Sequence, residues 1–327
     1  MRGAGVGRRA VGERSPADAA QAGPSPAERI EAAAARLGGL ARRDEPLGAR
    51  TTYRVGGAAA LFVEVDGPAA LETVASAVEA SGVEVLVVGC GSNLLVADAG
   101  FPGLCLHLSG AFDATRLDPS GRVVAGGAVR YPVLARQCAA AGVGGLGWAV
   151  GVPGSVGGAV RMNAGGHGCD TATRLVAARV VDLSRGKAAW VPADDLGLDY
   201  RRSRLSSTEV VVEAELAGEA GADPGALADE VAAIVAWRRD HQPGGRNAGS
   251  VFTNPPGDAA GRLVEAAGCK GLRIGTAEVS SKHANFVQAD LGGAADDVRR
   301  LVDEVRRRVA DRLGVELRPE LQMVGFA

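Results

Sequence analysis

Aromatic residues are scarce in this chain, 4% of the total, and no basic surplus accompanies them: 36 Lys and Arg face 38 Asp and Glu, a net charge of −2. Nucleic-acid binders ordinarily present a basic face and rings on which bases stack, so a nucleic-acid partner is not expected. Cysteine is equally sparse. Cys90, Cys105, Cys138, Cys169 and Cys269 are odd in number, lie far apart and form no C-x-x-C pair. That pattern suits neither a disulfide framework nor a zinc site, and it reads as buried or half-buried thiols in a reducing cytoplasm. No metal site is expected. Long apolar runs are missing too. The 24 residues from Gln137 to Val160 carry no charge, but eight are Gly and one is Pro153, so no membrane span is expected there. No secretory leader is expected either. Arg2, Arg8 and Arg9 are followed by Glu13 and Asp18 with no apolar core between them, and residues 1–24 read as a disordered tail.

What the chain has in quantity is glycine, 48 residues in 327. The remaining composition, 46% hydrophobic and 23% charged, is ordinary for a globular protein large enough for two or three domains. Ser25-Pro26-Ala27-Glu28 reads as a capping box opening a helix to about Leu37. Strands are expected at 60–65, 83–88, 103–108, 122–126, 175–183, 187–191 and 209–216, with helices at 68–80 and 130–141. Gly218 to Pro224 shifts in composition and marks a linker, beyond which helices are expected at 225–239, 258–267 and 294–313. Helices and strands do not alternate regularly, so the fold class is α+β.

Glycine concentrates in two loops. The first, Gly89-Cys-Gly-Ser-Asn93, follows a strand and can offer consecutive N–H groups and short polar side chains to a diphosphate. It matches neither G-x-G-x-x-G nor a Walker loop, and taken alone it reads better as a plain tight turn. The second runs from Gly151 to Gly168, with seven Gly in eighteen residues. Backbone without Cβ atoms either turns sharply inside the protein or lies against something flat or anionic. Two such loops in one chain suggest a single extended cofactor between them.

Val88-Gly-Cys-Gly-Ser-Asn-Leu-Leu-Val96, Gly151-Val-Pro-Gly-Ser-Val-Gly-Gly158 and Met162-Asn-Ala-Gly165 together closely resemble the UDP-N-acetylenolpyruvoylglucosamine reductase family. Thr51 to Gly57, Tyr200-Arg-Arg-Ser203, Ala248 to Pro255 and Leu317-Arg-Pro-Glu320 extend the resemblance over about 47–325. Each stretch is weak alone; their order and spacing are specific. The resemblance implies a two-part FAD-binding domain of the vanillyl-alcohol-oxidase (PCMH) type plus a smaller α/β substrate-binding domain. The parts would be 25–98 with a C-terminal strand at 317–327, then 99–216, then 217–316. It also implies non-covalent FAD, since the first loop holds no histidine, and NADPH as hydride donor. The cofactor residues would be Tyr53, Gly89, Cys90, Gly91, Ser92, Asn93, Leu94, Gly127, Pro153, Gly154, Ser155, Gly157, Gly158, Asn163, Ala164 and Gly165. Arg161 is open between a cofactor contact and a surface ion pair, and His167 is not expected to act as base or attachment point.

Reducing an enolpyruvyl ether needs a carboxylate clamp, stabilisation of the developing negative charge, and a proton donor. The resemblance assigns these to Arg201, Glu320 and Ser250. Without it, Arg201 would read as a surface arginine, Ser250 as a turn residue and Glu320 as a strand-edge carboxylate. Tyr200, Asn254, Lys282 and His283 would contact the substrate, a UDP-sugar enolpyruvyl ether. Arg238, Arg239 and Arg246 are further candidates for its diphosphate, although a solvated helix face is the better reading of the first two. Thr253 stands where the family often has Lys. The chain between Tyr200 and Ser250 is too short for the long lid loop of one subclass, so it resembles the subclass lacking it. A cytoplasmic monomer is expected. The alternatives are a PCMH-type oxidase of an alcohol or sugar, and a flavin-binding paralogue without catalysis.

Overall fold

The computed structural model describes residues 23–326, so the tail expected over 1–24 lies outside the described residues apart from its last two. The chain order begins α1 (Pro26–Leu37), β1 (Ala41–Pro46), β2 (Ala58–Val65), α2 (Pro68–Ser81), β3 (Val85–Val87), β4 (Leu94–Val96) and β5 (Phe101–Leu108). Ser25 and Glu28 form the reciprocal cap at the start of α1, which satisfies two otherwise unpaired donors. A four-stranded sheet of order β1-β2-β5-β3 follows, with β2 and β3 both parallel to β5. Parallel pairing brings the C-terminal ends of β3 and β5 to one edge, where the first glycine loop emerges. β5 belongs to this first sheet, so the sheet reaches past the boundary expected at residue 98.

The second group comprises β6 (Thr115–Leu117), β7 (Arg122–Gly126), α3 (Tyr131–Ala140), α4 (Val156–Arg161), β8 (Gly165–Gly166), β9 (Cys169–Asp170), α5 (Thr171–Arg174), β10 (Leu175–Asp182), β11 (Lys187–Pro192) and β12 (Glu209–Ala217). Five of its strands make an antiparallel sheet of order β11-β10-β12-β7-β6. β12 is apolar on both faces over Val210 to Val212, and the packing explains why. Val211, Ala214 and Leu216 join the core under α3 and α4, whereas Val210 and Val212 join the core of the first sheet. The two sheets thus share a seam at β12.

The remainder is α6 (Pro224–His241), α7 (Ala260–Ala266), β13 (Arg273–Ile274), β14 (Ala277–Val279), β15 (Val287–Ala289), α8 (Ala295–Leu313) and β16 (Gln322–Val324). Val298, Leu301, Val302, Val305 and Val309 recur at helical spacing and bury one face of α8 in a core shared with β14 and β15. Two ties fasten this unit to the first. Asp98 accepts hydrogen bonds from the N–H groups of Ala295 and Asp296 at the start of α8, and β16 pairs in parallel with β4. The terminal strand spans three residues instead of the expected 317–327, because Leu317 to Leu321 cross over the third core as an irregular segment.

Candidate active site

A cavity of about 300 Å³ opens in the seam between the two sheets, a volume suited to part of a bound cofactor. Its floor is Val87 to Cys90 beyond β3, and its opposite wall is Gly127, Ser155, Gly157 and Gly158. The loop floor has an unusual backbone. Among the described residues, the N–H groups of Cys90, Gly91, Ser92 and Asn93 donate to no protein acceptor. Gly91 is buried and the other three are half-buried, so four successive donors without a protein partner can serve as a cradle for an anionic diphosphate. The fit to FAD rests on that cradle and on the cavity beside it.

The glycines themselves have a second explanation that the sequence did not reveal. A Cβ on Gly89 would lie 2.4 Å from Ser155 Oγ, and one on Gly157 would lie 3.0 Å from the Val211 carbonyl; one on Gly127, between β7 and α3, would be closer still to that carbonyl, at 2.1 Å. The two loops are bare partly because they press on each other and on β12. The second loop is also not all loop, since α4 occupies its centre. Ser155 caps that helix by accepting from Gly158 N at 3.3 Å, while Val156 N and Gly157 N donate to the Val129 and Gly127 carbonyls. Gly157 and Gly158 therefore offer surface to the cavity and no unpaired N–H group.

Five polar residues on the cavity wall went unread in the sequence: His107, Ser109, Asp113, Arg130 and Glu209. They arrive from separate strands and turns, and no local pattern joins them. Arg161 lines the same cavity and donates from Nη1 to the Ser206 carbonyl at 2.8 Å, so it is no surface ion pair. Burial raises the Cys90 thiol above its ordinary pKa, which keeps it protonated beside Arg130.

The catalytic candidates come from three segments. Arg201 sits in a tight turn closed by mutual backbone bonds between Asp199 and Arg202, at 3.0 and 3.1 Å. Its φ of +57° is left-handed, a conformation uncommon for arginine. Its Nε pairs with Glu320 Oε1 at 3.0 Å, and its Nη2 donates to the Gly165 carbonyl at 3.0 Å. A longer contact of 3.5 Å reaches from Nη1 to the Asn163 carbonyl. A guanidinium has about five N–H donors, so roughly two remain for a ligand. The Tyr200 ring stacks on this guanidinium at 5.0 Å and is half exposed.

Glu320 lies beside Ser250 along the backbone, because its N–H donates to the Val251 carbonyl at 2.8 Å. Asn93 of the first loop also reaches this point, donating from Nδ2 to the Glu320 carbonyl at 3.0 Å. Burial pushes the Glu320 carboxyl above its ordinary pKa, and the Arg201 charge and hydrogen bond only partly offset that. Ser250 follows Gly249, which has φ +76°, and precedes Val251 and Phe252, both buried. Among the described residues, nothing hydrogen-bonds the Ser250 hydroxyl, whereas its neighbours are clamped by Asn285. Asn285 accepts from Phe252 N at 3.0 Å and donates to the Phe252 carbonyl at 2.8 Å. Nothing in the sequence around Asn285 announces that clamp, which joins residues 33 apart.

Several other candidates have local duties. Tyr53 is fully buried in the third core, away from the cavity wall, and its hydroxyl has no partner among the described residues. The Asn163 side chain is also buried, with its amide engaged inside the protein, so only its backbone can join a cofactor wall. Asn254 Oδ1 accepts from Ala260 N at 3.0 Å and caps α7, leaving its Nδ2 group for a ligand. His283 packs on Phe286 and accepts from Asn285 N at 3.2 Å, a turn-stabilising role. Lys282 Nζ donates to the Arg239 carbonyl at 2.6 Å. His167 sets its ring edge against Trp237, which stacks on His241. Among the described residues, no cluster of three or more His, Cys, Asp or Glu is arranged for a metal, and no helix is long and apolar enough to cross a membrane.

Residues 59–191 match a family profile described as an FAD binding domain, and 241–324 match one for the C-terminal domain of UDP-N-acetylenolpyruvoylglucosamine reductase. A reductase of that name from Rubrobacter xylanophilus is 42% identical over 295 residues, covering 89% of this chain and 97% of the relative. Its counterpart in Synechococcus sp. (strain CC9311) is 41% identical, covering 88% and 94%. The crystal structure of UDP-N-acetylenolpyruvylglucosamine reductase from Thermus caldophilus superposes with a TM-score of 0.75 at 33% identity, covering 87% of this chain and 99% of that one. A BBE-like protein of Physcomitrella patens, 14% identical with a TM-score of 0.52, shares the fold alone.

Proposed function

The chain belongs to the UDP-N-acetylenolpyruvoylglucosamine reductase family, and from that premise we propose which of its residues carry the reaction. The protein is an NADPH-dependent flavoenzyme that reduces UDP-N-acetyl-3-O-(1-carboxyvinyl)-glucosamine to UDP-N-acetylmuramate, a step of peptidoglycan precursor synthesis. When bound and reduced by NADPH, FAD would supply hydride chemistry toward the terminal methylene carbon of the enolpyruvyl group. The Cys90 to Asn93 backbone holds the cofactor's diphosphate, and the bond is not covalent: the first loop has no histidine, and a protonated Cys90 thiol is a poor nucleophile.

One observation carries the residue assignment. Arg201 is fixed on one edge by Glu320 and on another by the Gly165 carbonyl, which leaves its remaining N–H donors as a preset fork. That fork binds the substrate carboxylate and disperses the negative charge arriving on the carbon that bears it. Ser250 then delivers its hydroxyl proton to that carbon, completing the addition of one hydride and one proton. A serine hydroxyl is a weak acid, so this role suits only a strongly basic, carbanion-like acceptor. Glu320 acts by holding Arg201. Tyr200, Asn254, Lys282 and His283 serve the UDP-sugar end, supported in particular by the half-exposed Tyr200 ring and the Nδ2 of Asn254. The enzyme works as a cytoplasmic monomer.

The raised Glu320 pKa gives a test with a definite sign. Above that value Glu320 is ionised and grips Arg201 Nε; below it, protonation weakens the grip. Substrate-driven flavin reoxidation should therefore decline as pH falls through a value above the usual glutamate range. Glu320→Gln should react more slowly and lose that inflection. A wild-type profile flat down to the ordinary glutamate range would remove Glu320 from this role.

A further inference from the structure

The turn carrying Arg201 needs something to hold it against the carbonyls it uses, and one buried side chain meets that need. Asn163 is 2% exposed with φ +39°, a left-handed conformation that asparagine tolerates better than most residues. Its Oδ1 accepts from Ala172 N at 2.8 Å, and its Nδ2 donates to Asp170 Oδ2 at 3.2 Å and to the Asp199 carbonyl at 3.1 Å. The amide orientation is unambiguous, since a backbone donor faces one side and two acceptors face the other. Asp199 is the closing residue of the Arg201 turn, and its carboxylate accepts from Tyr200 N at 2.7 Å. The carbonyl of Asn163 itself, with that of Gly165, receives the guanidinium.

We propose that Asn163 is the positioning residue of Arg201: its Nδ2 group ties the Asp199–Arg202 turn to the 163–165 backbone and so aims the guanidinium fork. The proposal rests on the carboxylate-binding role of Arg201. Asn163 touches neither substrate nor the reacting atoms with its side chain, and its effect passes through the turn. Left-handed Arg201 and left-handed Asn163 then have one purpose. Each bends its segment so that a backbone carbonyl and a side chain meet across the gap.

Asn163→Asp keeps an acceptor for Ala172 N but loses the donor to the Asp199 carbonyl and opposes the Asp170 carboxylate. The exchange variant Asn163→Asp/Asp170→Asn restores a hydrogen bond between those two side chains and still leaves the Asp199 carbonyl without its donor. Asn at 170 also remains a good cap for α5. The exchange variant should bind FAD, melt near the wild type and accept electrons from NADPH almost normally. Its reoxidation by the enolpyruvyl substrate should slow about tenfold with a raised substrate KM, the effect of one buried hydrogen bond left unmade. Wild-type reoxidation in the exchange variant overturns the proposal, because loop integrity alone would then suffice. Arg201→Lys, run in the same series, separates the two layers. If it too reoxidises normally, the Arg201 assignment falls; if it is slow while the exchange variant is normal, only the Asn163 tie falls.

Discussion

Ser250→Ala should leave reduction of the flavin by NADPH nearly unchanged and slow its reoxidation by substrate roughly 10²–10⁴-fold, the usual contribution of a positioned proton donor. The asymmetry follows from where protons move. No substrate proton is transferred while NADPH reduces the cofactor, whereas the second half-reaction needs one at the carboxylate-bearing carbon. The substitution removes a single oxygen from a half-buried position whose hydroxyl bonds no described protein group, so little else should change. The flanking Val251 and Phe252 keep their Asn285 clamp in the variant. Ser250→Cys should recover part of the rate because a thiol can still donate. Anaerobic rapid mixing resolves both halves. Equal slowing of the two would make Ser250 a support for the cofactor, and normal reoxidation would assign the proton elsewhere.

Arg201→Lys should be nearly as damaging to the same half-reaction. Lysine keeps the charge but not the planar fork, and it cannot address Glu320, the Gly165 carbonyl and a substrate carboxylate together. Losing about two charge-assisted hydrogen bonds of ~1.5–2 kcal/mol each corresponds to roughly a 10²–10³-fold slower reoxidation. Glu320 loses the Nε hydrogen bond but keeps a positive charge beside it, so burial still holds its carboxyl above the usual range. Reduction by NADPH involves no carboxylate clamp and should change little. An unchanged rate of substrate-driven reoxidation would falsify the place of Arg201 in the site.

Much of the scaffold was written locally, and the parts that were not have physical reasons. The Ser25–Glu28 box, the apolar stripe of α8 and the runs of β10 and β12 each state their structure within a few residues. β1 does not. Its sequence, Ala-Arg-Arg-Asp-Glu-Pro, is mostly exposed on a sheet edge, so pairing with β2 creates a strand that no hydrophobic alternation announces. α4 hides inside a glycine-rich loop because its stability comes from the Ser155 cap and the buried Val156, Ala159 and Val160 instead of helix propensity.

The site divides in the same way. The first loop could be read as a diphosphate cradle from its residue types, and its unpaired N–H groups are consistent with that. The reason Gly89 and Gly127 lack side chains was not readable, since the atoms they approach belong to Ser155 and Val211 far along the chain. Arg201, Ser250 and Glu320 were recognisable only through the order of several short motifs. No local chemistry distinguishes Arg201 from Arg202, whose guanidinium simply pairs with Asp199. Asn163 was legible as part of a glycine-rich wall, but its tie to Asp199 joins residues 36 apart and appears only in three dimensions.

An oxidase on the same fold would also bind FAD, so colour alone cannot test the reductase reaction. The direct measurement is anaerobic stopped-flow at the flavin absorption band with stoichiometric NADPH, followed by UDP-N-acetyl-3-O-(1-carboxyvinyl)-glucosamine. The expected result is bleaching by NADPH and prompt return of the yellow colour on adding substrate, with product heavier than substrate by two hydrogens. Colour that returns only when oxygen is admitted, with the enolpyruvyl ether unchanged, would contradict it.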